Sequence, residues 1–146
     1  MSINSRPSNL GTPKFSHFHL SEFFKNCTPQ ERNTALLNTD YLDNIIQLNG
    51  IVSLLRDMLC DLKQTDVPIT ITSCYRDYSH NLRAGGAKTS QHLTGSALDF
   101  QCKYLEDAFI LLKNYFKFGQ LIRYNTFIHV SLPTNKHLYH IIDKRT

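Results

Sequence analysis

The chain has 146 residues, 41% hydrophobic and 19% charged; that is enough for one domain with its own core, and the balance excludes disorder throughout. No run of about 18 apolar residues occurs, which argues against a membrane-spanning helix. The net charge of +4 slightly favours anionic partners, but the basic residues do not cluster, so nucleic acid is not expected as a partner.

The start, MSINSRPSNLGTPK, lacks the apolar segment of a signal peptide. Synthesis in the cytoplasm is therefore expected, with any target outside the membrane reached by release or delivery. Residues 1–13 have no apolar periodicity and read as a loose arm, leaving 14–146 as the domain. Ser21 is placed to cap a short helical piece, SEFFK. From Tyr41 to Gln64, Leu42, Ile45, Ile46, Val52, Leu55, Leu59 and Leu62 recur every three or four residues. That spacing predicts an amphipathic helix, with Asp40 as a candidate cap. Pro68 opens PITITS, a β-branched run that predicts a strand. Residues 74–94 are rich in turn formers and read as irregular. SALDFQC predicts a second strand, Tyr104 to Phe118 a second helix, and GQLIRY, TFIHVSL and YHIID three further strands. Helices followed by strands, with one helix among them, predict an α+β domain: a largely antiparallel sheet with helices packed on it.

Four cysteines, Cys27, Cys60, Cys74 and Cys102, form no C-x-x-C pair and read as free thiols, with Cys60 and Cys102 in the core. Of seven histidines, His17, His19, His137 and His140 read as surface or core-edge residues. His80 has no partner that sequence identifies. His92 stands out, because it lies in a turn seven positions before Asp99. Alternate strand residues share a face. Leu98, Phe100 and Cys102 form the apolar one, so Asp99 points the other way with Ala97 and Gln101. In TFIHVSL the same test puts Ile128, Val130 and Leu132 on one face and His129 on the opposite one. Two imidazoles and a carboxylate from separate segments are a ligand set for zinc that keeps one position open; the residual charge of +1 would leave the metal a Lewis acid. Spacing alone does not decide between such a site and three unrelated polar residues.

The run Ser90–Asp99 matches S-x-H-x-x-G-x-A-x-D in full, and so resembles the signature of the D-Ala-D-Ala metallopeptidases, the zinc D,D-carboxypeptidase and endopeptidase family of bacterial cell walls. ITSCYRD, the stretch with Asn81 and Gly85-Gly86, and FIHVS resemble the family's other segments in the right order. The early LSEFF is similar to phage-type members. The resemblance implies a Zn2+ ion on His92, Asp99 and His129, hydrolysis of peptide bonds in peptidoglycan, and an Arg76 that engages the scissile carbonyl or a carboxylate of the peptide. A structural ion pair, with Asp77 or another acid, is the alternative for Arg76. Ser90 and Gln91 would contact substrate or shape the loop that presents His92.

The chain departs from the family in one respect. Members carry an acid shortly before the last histidine, as the general base. Here Gln120 to His129 contains none. If Asn125-Thr126 is a two-residue hairpin loop, Ile122 pairs with His129 and Tyr124 lies diagonally across from it, in the acid's place. Tyrosine, with an ordinary pKa of about 10, is a poor base but can donate a hydrogen bond to an oxyanion. Asp143, Glu106 and Asp77 are other candidates that spacing does not favour. The alternative reading is a weakly active or inactive zinc-binding module that recognises peptidoglycan or is purely structural. The hedgehog signalling domain is a non-peptidase relative of this kind.

Overall fold

A computed structural model describes residues 17–146; the expected arm, residues 1–13, lies outside the described residues. A 3-10 turn, Leu20–Phe24, opens the described chain. Helix α1 (Pro29–Leu36), helix α2 (Thr39–Lys63) and strand β1 (Ile69–Ser73) follow, then helix α3 (Tyr78–Arg83) and a second 3-10 turn, Gln91–Thr94. Strand β2 (Ala97–Cys102), helix α4 (Leu105–Tyr115) and strands β3 (Gln120–Arg123), β4 (Ile128–Ser131) and β5 (His140–Asp143) complete it. The strands form one sheet in the order β1-β2-β4-β3-β5. All neighbours are antiparallel except β3 and β5. The fold is α+β, as the order of elements predicts. No described helix is long and apolar enough to cross a membrane.

The apolar stripe of α2 packs its Ile45, Leu48, Val52, Leu55 and Leu59 into the core. Leu48 takes the place expected for Ile46, and both Ile46 and Leu62 are exposed, because the helical period carries them off the buried face. Asn38, not Asp40, caps this helix, its side chain accepting from the Tyr41 N–H at 3.1 Å. The first turn likewise begins one residue before Ser21: His19 is the cap residue, its N–H held by the Glu22 carboxylate at 2.8 Å. Periodicity gives no sign of α1. Its signal is the cap box Thr28-Pro29-Gln30-Glu31, in which the Glu31 N–H donates to the Thr28 hydroxyl and the Thr28 N–H donates to the Glu31 carboxylate. Residues 74–94 are not wholly irregular, since they hold α3 and the second 3-10 turn.

Leu98 and Phe100 of β2 and Ile128 and Val130 of β4 are fully buried, the strand faces assigned from alternation. The cysteines differ from expectation. Cys74, not Cys60 or Cys102, is the fully buried one, and the other two only flank the core.

Candidate metal centre

The antiparallel register of β2 and β4 sets Asp99 directly opposite His129, on the face away from the aliphatic core. His92 arrives from the second 3-10 turn. Ser90 caps that turn, its hydroxyl accepting from the His92 N–H at 3.2 Å. Gly95 closes it in a left-handed conformation with φ +67, where an added Cβ would also come within 3.1 Å of Ile45. Glycine meets both demands without strain. As a result His92 Nε2 stands 3.3 Å from Asp99 Oδ1, and His129 Nδ1 stands 2.8 Å from the same oxygen. The two rings meet edge to face, with centroids 5.3 Å apart.

These three side chains fit a tetrahedral cation. Ligand nitrogen and oxygen atoms bound at about 2.1 Å, and about 109° apart, stand about 3.4 Å from one another. The His92–Asp99 spacing of 3.3 Å matches that edge, the His129–Asp99 spacing of 2.8 Å is a hydrogen bond that must lengthen to admit a cation, and all three ligand atoms lie within 4.8 Å of one another. The Cys74 carbonyl accepts from His92 Nδ1 at 2.6 Å. That fixes the tautomer and leaves Nε2 with its lone pair turned to the centre, as metal-ligating histidines require. Burial raises the pKa of Asp99, but the His129 and His92 side chains beside it outweigh that effect and hold the carboxyl well below the usual carboxylate range. The ligand is thus a carboxylate at every physiological pH.

Arg76 leans over this group. Its Nη2 lies 3.8 Å from Asp99 Oδ2, its Nε donates to the Ser73 hydroxyl at 3.1 Å and its Nη1 to Asn81 Oδ1 at 3.3 Å. The acid beside it is Asp99, not Asp77, whose carboxylate instead caps α3 through the His80 N–H at 2.8 Å. A bulge between Ile71 and Ser73 brings Ser73 opposite Asp99, which is how the hydroxyl reaches the guanidinium.

The three residues and Arg76 sit in a cavity of about 530 Å³ whose wall includes Gly86, Ser90, Gln91, Tyr124, Phe127, His137 and Lys144. The hairpin has the expected register, with Ile122 opposite His129 and the Tyr124 N–H donating to the Phe127 carbonyl at 3.0 Å. Tyr124 stacks on Phe127 with centroids 4.2 Å apart. Among the described residues that line the cavity, Asp99 is the sole carboxylate. Asp143 is engaged by Arg145, and Glu106 by Arg145 and Arg123. Gln91 Nε2 donates to the Leu132 carbonyl at 3.0 Å, while its buried Oε1 has no hydrogen-bond partner. His137, which the sequence puts at the surface or core edge, and Lys144 also line the cavity. The cause is β5. Its parallel pairing with β3 and the Lys144 N–H donated to the Arg123 carbonyl at 2.8 Å bring the C-terminal segment to the rim, and no local pattern announces that pairing.

The family model described as Peptidase M15 matches residues 16–131. No curated protein matches the chain.

Proposed function

Because the chain belongs to the Peptidase M15 family, whose members are zinc metallopeptidases, we propose that it hydrolyses peptide bonds in bacterial peptidoglycan with a zinc ion held by His92, Asp99 and His129. The observation that carries the reading is the convergence of these three ligand atoms beneath Arg76, at spacings suited to a tetrahedral cation. A zinc ion there supplies Lewis acidity, polarising a peptide carbonyl and making water nucleophilic near neutral pH. The chain's own groups do the rest. Arg76, held by Ser73 and Asn81, presents a fixed fork of donors to a carbonyl or carboxylate of the peptide. Tyr124, on the cavity wall, would donate a hydrogen bond from its hydroxyl to the developing oxyanion. Ser90 and Gln91 orient the peptide and hold the turn that presents His92. The segment LSEFF supports a phage-type, virus-encoded wall enzyme as the setting.

One observation favours a second reading. Without a cavity acid other than Asp99, the usual general base is missing, and that loss costs about 10²- to 10⁴-fold in rate. A zinc-bearing module that binds peptidoglycan and turns it over slowly or not at all is the alternative. Mass spectrometry of purified peptidoglycan incubated with zinc-loaded protein separates the two. The expected result is release of peptide fragments by the wild type, none by His129→Ala, which also loses its zinc, and slowed release by Tyr124→Phe at unchanged zinc content. Full zinc occupancy with no fragment released would refute hydrolysis and leave the binding module.

A further inference from the structure

Behind the cavity, on the far side of the segment 74–76, lies a second convergence of ligand-bearing side chains. We propose that Cys27, Glu31 and His80 form a second metal site, one that holds a zinc ion as a structural staple. Cys27 precedes α1, Glu31 lies in its first turn, and His80 belongs to α3, so two segments some fifty residues apart meet there. The ligand atoms all lie within 4.8 Å of one another. Cys27 Sγ stands 3.8 Å from His80 Nδ1, and Glu31 Oε2 stands 3.3 Å from the same nitrogen. With Zn–S of about 2.3 Å and Zn–N and Zn–O of about 2.1 Å, the edges of a tetrahedron are about 3.6 Å for sulfur to nitrogen and about 3.4 Å for oxygen to nitrogen. Both spacings fit.

An ion pair between Glu31 and His80 does not account for the arrangement. The Glu31 side chain is only 5% exposed, and its Oε2 accepts no well-directed hydrogen bond. The donors that serve this carboxylate, the Thr28 N–H and Arg83, both go to Oε1. A buried carboxylate oxygen with no hydrogen bond is costly, and a cation between it and Cys27 would remove that cost. Thiolate, imidazole and carboxylate together suit zinc above harder cations such as magnesium or calcium. Loading is balanced: the Cys27 Sγ–H now donated to the Tyr75 carbonyl at 3.3 Å leaves as a proton to solvent, and a sulfur–zinc bond forms in its place. Thiolate and carboxylate then neutralise the dication. The staple would tie the start of α1 to α3, the helix whose Asn81 holds Arg76.

This site and the one proposed for catalysis are separable by experiment, because His92, Asp99 and His129 include no sulfur. Chelator-treated, reduced full chain is titrated with cobalt(II) alone and read in the near ultraviolet, where only a thiolate ligand gives a sulfur-to-cobalt charge-transfer band. The expected result is a band that saturates at one equivalent, disappears in Cys27→Ser and in His80→Ala, and persists in His129→Ala. Zinc content then falls from two per chain in the wild type to one in Cys27→Ser and one in His129→Ala. Absence of the band at saturating cobalt in wild-type protein overturns the proposal, and so does its persistence in Cys27→Ser. The wild-type titration decides even where a variant fails to fold. One zinc per chain, unchanged in Cys27→Ser and lost in His129→Ala, would sink the staple and leave the catalytic reading intact.

Discussion

Gly86→Ala tests how Arg76 is held. A Cβ at position 86 would stand 2.1 Å from Asn81 Oδ1, 2.8 Å from Asn81 Cγ and 2.9 Å from Arg76 Nη1, so something must move by about an ångström. Asn81 is 2% exposed and its amide is committed at both ends, donating to the Ala87 carbonyl at 2.8 Å and accepting from Arg76 at 3.3 Å. Turning it away breaks both bonds. Leaving a buried amide group unsatisfied costs about 1–3 kcal/mol, and losing a hydrogen bond to a charged group costs about 1.5–3 kcal/mol. Partial relaxation makes about 3 kcal/mol a reasonable sum, which for a domain of this size lowers Tm by about 6–12 °C. His92, Asp99 and His129 are not among the residues that the added Cβ would crowd. The variant should therefore melt earlier and, if Arg76 binds the peptide, lose about tenfold or more in kcat/KM, with zinc content unchanged. Calorimetry, metal analysis and a peptidoglycan-fragment assay measure the three quantities. Wild-type Tm would show that Asn81 is not packed as described, and loss of zinc in step with stability would show that the Arg76 shelf and the ligand set are not independent.

Two further outcomes follow from local chemistry. Asn38→Ala removes the side-chain cap of α2 and should cost about 1 kcal/mol in urea unfolding, whereas Asp40→Ala should cost less, since Asp40 only complements the helix dipole from the first turn; equal effects would contradict the assignment of the cap. Hydrogen bonds from Arg145 hold the Asp143 carboxyl down to about 2. Its folded pKa lies below its ordinary value, so the stability it lends is present above the ordinary carboxylate range and is lost as pH falls towards 2. Carboxyl NMR should find that low midpoint in the wild type and an ordinary one in Arg145→Ala, and an unshifted wild-type midpoint would refute the pairing.

How much of this was legible in the sequence depended on whether the information was local. Strand alternation separates Asp99 and His129 from the buried residues Leu98, Phe100, Ile128 and Val130, because a period of two fixes the face of every residue once the apolar one is known. The two-residue loop fixes Ile122 opposite His129 for the same reason. What stayed hidden was long-range. His80 meets Cys27 and Glu31 across some fifty positions, and its own neighbourhood carries no trace of either. His137 and Lys144 reach the cavity only because β5 runs parallel to β3, a pairing set by the path of the connection and not by any residue pattern. Helix α1 was missed for a different reason: its buried residues, Glu31 and Ala35, form no apolar stripe because one of them is charged, and only its cap box marks it.

The segment Cys74–Arg76 explains why a stretch that reads as turn and loop can hold a site. All three of its residues are committed by hydrogen bonds, Cys74 and Arg76 to His92 and Tyr75 to Phe23 and Cys27. The Cys74 carbonyl takes the Nδ1 proton of His92 at 2.6 Å, and the Tyr75 N–H donates to the Phe23 carbonyl at 3.1 Å while its own carbonyl accepts from Cys27. The Arg76 N–H donates to the His92 carbonyl at 3.0 Å. Cys74 and Tyr75 are buried, so these bonds are sheltered from competing water. An imidazole gripped at Nδ1 and at its own carbonyl cannot swing freely, so its Nε2 is aimed before any cation arrives, and the ordering entropy is met by folding and not by binding. The same strap passes within hydrogen-bonding distance of Cys27 on its other side.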